Sequence, residues 1–127
     1  MSPEATLDGI GQIHISVKDL PRIVEFYRDV LGMRFLFDVP EQSMAFFDCG
    51  GVRLYFGKPE SEELRSNPLI YYKVSAISDT YRTLLDRGAE GLSEPHVVHA
   101  TETTELWIGA IRDPEGNAIF LMNELGK

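Results

Sequence analysis

Apolar and polar residues alternate through Gln12-Ile13-His14-Ile15-Ser16-Val17, and the β-branched members predict a strand. The period then changes. Leu20, Ile23, Val24, Tyr27, Val30 and Leu31 recur at helical spacing, behind an Asp19 suited to an N-cap and a Pro21 tolerated in a first turn. Gly32 suits the left-handed position that closes such a helix. Phe35-Leu36-Phe37 and Met44 to Asp48 read as short strands on either side of a Pro40 loop, and Gly50-Gly51 turns into another, Val52 to Phe56. The first half is βαβββ.

Lys58 to Pro68 is a polar linker with two prolines and little to bury, and after it the order recurs. Leu69 to Val74 reads as a strand; Ile77, Tyr81, Leu84 and Leu85 mark a helix that Gly88 closes; the segment around Val97-Val98 is extended. Leu106 to Ile111 is a strand, Asp113-Pro114-Glu115-Gly116-Asn117 a turn, and Ala118 to Met122 the last strand. Val17 and Val74 occupy the same place before each helix, which pairs Gln12 with Leu69 and His14 with Tyr71. Gly51 and Gly116 occupy the same place in each final turn, which pairs Tyr55 with Phe120.

The fold expected is therefore α+β: a single domain over residues 1–127, made of one βαβββ module at 10–57, a linker at 58–68 and a second module at 69–124. The modules are expected to form a cup-shaped mixed sheet with helices outside. Neither half alone can bury both its sheet face and its helix stripe, so the halves share a core or exchange across a homodimer.

Composition narrows the chemistry. With 43% hydrophobic and 25% charged residues in 127, the chain is a folded domain rather than a disordered one. No apolar run approaches the ~20 residues of a membrane span, and Met1-Ser2-Pro3-Glu4 lacks the basic-then-apolar order of a signal peptide, so no membrane partner and a cytoplasmic location are expected. Cys49 is the only cysteine, which excludes an internal disulfide and a Cys-cluster metal site. Asp and Glu outnumber Lys and Arg 20 to 12, a net charge of −8 with no basic footprint, so nucleic acid is not an expected partner. An acidic surface favours solubility and attracts cationic small molecules better than anionic ones.

The paired βαβββ order, the stretch Val17-Lys18-Asp19-Leu20 through Phe26-Tyr27-Arg28-Asp29-Val30-Leu31-Gly32-Met33, and the ending Arg112-Asp113-Pro114-Glu115-Gly116-Asn117 resemble the vicinal oxygen chelate superfamily. That group includes glyoxalase I, bleomycin-resistance proteins and extradiol dioxygenases. The resemblance spans about residues 10 to 124, and it implies the fold more firmly than a reaction, because this fold hosts many chemistries. It also implies that metal-dependent members draw four ligands from the first and last strands of each half. Those positions fall here on Gln12, Tyr55, Leu69 and Phe120. Gln12 is an acceptable ligand and Tyr55 an occasional one, whereas Leu69 and Phe120 offer a cation no lone pair. No cofactor and no metal are expected there, and the cup centre becomes apolar.

His14 lies two residues from Gln12 on a strand and faces the same way. It is the candidate catalytic residue, as general base or shifted metal ligand, or else a pocket-wall histidine. His96 and His99 lie three apart; in an extended segment they fall on opposite faces and cannot share an ion, whereas in a mobile loop either could close over the pocket. Gln12, His14, Tyr55, Leu69, Tyr71, Trp107 and Phe120 form the expected ligand pocket; Tyr71, Tyr55, Phe120, Phe46 and Trp107 make either an aromatic cage or core, with the side of Phe46 and Trp107 left open. Lys73 alternates with Tyr71 and either enters the cup or reaches solvent. Cys49 has no basic neighbour to activate it. No triad, nucleophile elbow or phosphate loop is present. The function expected is binding of a hydrophobic, aromatic or cationic small molecule, and the alternative is a lyase, isomerase or dioxygenase with an atypical ligand set.

Overall fold

The computed structural model describes residues 5–127. Its elements are β1 (Gln12–Ser16), α1 (Leu20–Glu25), β2 (Arg34–Val39), β3 (Met44–Cys49), β4 (Val52–Gly57), β5 (Tyr71–Lys73), α2 (Ile77–Asp86), β6 (Glu90–Ala100), β7 (Thr104–Arg112) and β8 (Ala118–Gly126). They form two separate four-stranded mixed sheets, ordered β1-β4-β3-β2 and β5-β8-β7-β6, each with one parallel pair at its edge. The fold is α+β with two βαβββ units. The repeat seen in the residues is geometric too: His14 pairs with Tyr55 across β1 and β4, and Tyr71 with Phe120 across β5 and β8. Gly51 and Gly116, matched by the repeat, both take positive φ (+93° and +84°), which a side chain resists.

One face of each sheet enters a shared core. Ile15, Val17, Phe47, Leu54 and Phe56 of the first module join Ile111, Ile119 and Leu121 of the second, with Ile23 and Tyr27 from the first helical segment and Ile77, Tyr81 and Leu84 from α2. Because strand residues alternate, the opposite faces look away from this core. Those faces carry the positions that the sequence assigned to the cup. Within one chain the outer faces of the two four-stranded sheets therefore look away from the shared core.

The predicted first helix departs from regularity. Asp19 caps α1 by accepting the N–H of Arg22, but after Glu25 the chain widens into a π turn over Phe26–Val30, closed by Leu31 N–H donating to the Phe26 carbonyl at 3.0 Å. Phe26 and Tyr27 within this turn are both buried. The α2 helix has no side-chain cap from its own N-cap, Ala76. Instead the buried Asn123 of β8 accepts the Ile77 N–H at 3.2 Å.

The Asp113–Asn117 turn locks the modules together. Asp113 is 5% exposed and accepts the N–H groups of Glu115 and Asn117, the Asn117 amide, and the Tyr27 hydroxyl at 3.3 Å. Burial and the Asp113 charge hold the Tyr27 phenol well above its usual pKa, so it serves as a donor here. No described helix is long and apolar enough to cross a membrane.

Candidate functional site

On the outer face of the first sheet, four rings run across all four strands. His14 of β1 lies 4.6 Å from the Tyr55 ring of β4, Tyr55 stacks on Phe46 of β3 at 5.0 Å, and Phe46 stacks on Phe37 of β2 at 4.7 Å. The ladder register forces this: His14 opposes Tyr55, Tyr55 opposes Phe46 and Phe46 opposes Phe37, and directly opposed residues share a face. A bulge between Phe35 and Phe37 brings Phe37 into the row, leaving Phe35 on the core side against Phe47. Gly57 makes the row possible, because a side chain there would meet the Tyr55 ring at 2.9 Å and the Ser43 carbonyl at 2.8 Å.

A second, polar row runs beside the first: Gln12, Arg53, Asp48 and Arg34 oppose one another across the same strands. The Arg53 Nε–H donates to Gln12 Oε1 at 2.9 Å, and its guanidinium carbon lies 5.5 Å from the Phe46 ring centre. His14 is half-buried. Its Nε2 is hydrogen-bonded to Ser16 Oγ at 3.1 Å, Ser16 Oγ also accepts the Ser66 N–H, and His14 Nδ1 is buried without a hydrogen-bond partner among the described residues. Burial lowers the imidazole pKa, opposed by the charge of Glu60 and a backbone group of Tyr55, so the neutral ring is favoured.

The outer face of the second sheet is built on Tyr71 and Phe120, stacked at 4.5 Å, beside Leu69. Leu69 is 65% and Tyr71 47% exposed, as is Phe37 on the other sheet. The structure thus groups Gln12, His14 and Tyr55 on one face and Tyr71 and Phe120 on the other. Among the described residues no aromatic pair joins the two sets. Lys73 alternates with Tyr71 and is exposed.

Trp107, whose side the residues left open, is not with them. It opposes Asn123 on β8, the residue that caps α2, so it lies on the helix-facing side, packed against the core. Its Nε1–H donates to Glu105 at 3.4 Å. The expectation for His96 and His99 is also corrected. His96 opposes Ile108 and His99 opposes Leu106, two residues apart on β7, so a bulge at Val98 turns both histidines to one face. Both are exposed, and His96 Nδ1 is hydrogen-bonded to the Glu94 carbonyl at 2.8 Å.

The sequence reading missed an open groove of about 930 Å³ between the modules on the core side, bounded by Ile13, Leu54, Ile70, Val74, Leu84 and Leu121. Cys49 is among the residues lining it, and burial and the Asp48 charge raise its thiol pKa. Only the packing of the two modules creates this groove. No group of three or more His, Cys, Asp or Glu among the described residues is placed to hold a metal ion.

Comparison with known proteins matches this geometry. The chain is 27% identical to the uncharacterized protein YraH of Bacillus subtilis over 127 residues, covering 90% of this chain and 97% of that one. The crystal structure of virulence protein STM3117 from Salmonella typhimurium superposes with a TM-score of 0.74 at 21% identity, covering 94% of this chain and 98% of that one. The crystal structure of TnmS3, an antibiotic binding protein from Streptomyces, superposes with a TM-score of 0.74 at 17% identity, covering 96% and 100%. The family model described as Glyoxalase/Bleomycin resistance protein/Dioxygenase superfamily matches residues 9–121, and the chain belongs to that superfamily.

Proposed function

We propose that this protein binds a hydrophobic, aromatic small molecule without altering it, in a cup formed when the outer face of one module meets the opposite module of a second copy. The aromatic row His14–Tyr55–Phe46–Phe37 carries the reading. The rings cover one another's faces along the row, so an aromatic ligand would pack against their edges and on the half-exposed Phe37 at the row's end. The outward, partly exposed Leu69, Tyr71 and Phe37 support completion by a partner, since each half-cup alone leaves apolar area in water.

The donor set does not fit a catalytic cation. Leu69 and Phe120 carry no lone pair, and the Gln12 oxygen already accepts from the cationic Arg53, which would repel a metal ion there. The antibiotic-binding TnmS3 is a fold relative whose stated role is in line with sequestration. The enzyme reading keeps one observation in its favour, the unpartnered Nδ1 of a neutral His14, a base within the cup.

The test is a fluorescence titration with planar aromatic compounds on three proteins: wild type, Tyr55→Leu and Val74→Glu. Loss of affinity in Tyr55→Leu alone supports the cup. Loss in Val74→Glu alone moves the site to the inter-module groove and overturns the reading, as does consumption of the compound.

A further inference from the structure

We infer that the ligand of this cup is a flat aromatic anion, a carboxylate or an ionised phenol or enol, held by the guanidinium of Arg53. This deepens the aromatic-cup reading and rests on it. It reverses the preference for cations suggested by the net charge of −8.

Arg53 is set as a receptor. Gln12 accepts its Nε–H at 2.9 Å, which fixes the plane, and the guanidinium lies over Phe46 at 5.5 Å, in the middle of the aromatic row. A guanidinium carries five N–H donors in a rigid fork, so the terminal donors remain for a planar oxyanion. Asp48 opposes Arg53 across the ladder and Arg34 opposes Asp48, yet among the described residues no carboxylate lies within ion-pair distance of either arginine. The row therefore carries two cations, Arg34 and Arg53, and one anion, Asp48, beside His14 and Tyr55, with the Glu60 carboxylate near enough to act on His14. The Arg53 guanidinium is held by an amide and an arene. A flat ligand packed on the ring edges of Tyr55 and Phe46 would bring an in-plane oxyanion to the edge of that fork. The overall negative charge weighs little at this range, because salt screens exposed charges beyond a Debye length of about 8 Å at physiological ionic strength.

The experiment uses acid and amide pairs of one shape: 2-naphthoic acid with 2-naphthamide, and phenazine-1-carboxylic acid with its carboxamide. These are titrated at pH 7.5 into the wild type, Arg53→Gln and Arg53→Lys. The wild type should favour each acid by about tenfold or more, the scale of a hydrogen bond to a charged group. Arg53→Gln should abolish that ratio and Arg53→Lys should restore part of it, since an ammonium keeps the charge and loses the fork. Equal affinity for acid and amide, or a ratio unchanged by Arg53→Gln, overturns the anion assignment and leaves the aromatic cup standing. Binding of none of the four compounds overturns both.

Discussion

The Glu115 carboxylate accepts the backbone N–H of Lys18 through both oxygens, at 2.9 and 2.8 Å, and that of Asp19 at 2.8 Å. A turn of the second module thereby satisfies backbone donors just ahead of the first helix, almost a hundred residues earlier. Glu115→Ala should lower stability by about 1–2 kcal/mol, the scale of a lost cap with charge-assisted bonds, and Glu115→Gln by less. Urea unfolding monitored by circular dichroism measures both, and equal stability of all three proteins would show that the clamp is ornamental.

Asp113 anchors the same turn from within. Asp113→Ala leaves two backbone donors and two side-chain donors without their acceptor in a site only 5% exposed, so a loss above about 2 kcal/mol is expected. Tyr27→Phe deletes a single long bond and should cost less than about 1 kcal/mol. The ordering of the two, read from the same unfolding curves, is the result that matters.

Association is the next consequence. Light scattering should find a dimer, and Tyr71→Asp should convert it to a monomer that stays folded, because Tyr71 is 47% exposed within one chain. A wild-type monomer at micromolar concentration would remove the second copy from the cup.

Stability should also depend on pH through His14. Burial lowers its folded pKa below the unfolded value near 6.5, so between the two the unfolded state binds more protons and stability rises with pH. The contribution is fully present above about pH 6.5 and is lost as the pH falls through the folded pKa. His14→Gln should flatten that part of the profile between about pH 5 and 7, as measured by melting temperature against pH.

The ligand positions that the family resemblance implies can be tested by substitution. Leu69→His combined with Phe120→Glu supplies two donors to the side chains already at Gln12 and Tyr55, and calorimetry with Zn²⁺ or Ni²⁺ should show affinity that the wild type lacks. Gain of nothing would mean that the repeat register, which pairs Gln12 with Leu69 and Tyr55 with Phe120, does not bring these positions together in the assembled cup.

Much of the fold could be read before any coordinates. The alternation of residues 12–17, the spacing from Leu20 to Leu31 and the two glycine turns each report a local preference, and local preferences survive in β1, the first helical segment and the turns at Gly51 and Gly116. That His14 shares a face with Gln12, and that Tyr55, Tyr71 and Phe120 belong to the cup side, was legible for the same reason, since a strand fixes which neighbours share a face. Where a strand bulges, that rule fails. One inserted residue near Leu36 draws Phe37 into the aromatic row, and one at Val98 turns His99 to the side of His96. Asn123 capping a helix on another element, and Trp107 on the core side, follow from a β7–β8 register that nothing local announces.

By itself the sequence determined the element order, the internal repeat, the turns and the apolar character of Leu69 and Phe120, two of the four positions that the family resemblance marks for ligands. Period, glycine placement and side-chain chemistry act within a few residues. Tertiary structure alone decided that the two sheets back onto one core with their cup faces outward, that Arg53 lies over Phe46, and that Glu115 and Asp113 hold the modules together. Those outcomes depend on which buried faces fill one another's volume across a long stretch of chain, a competition that no short window of residues records.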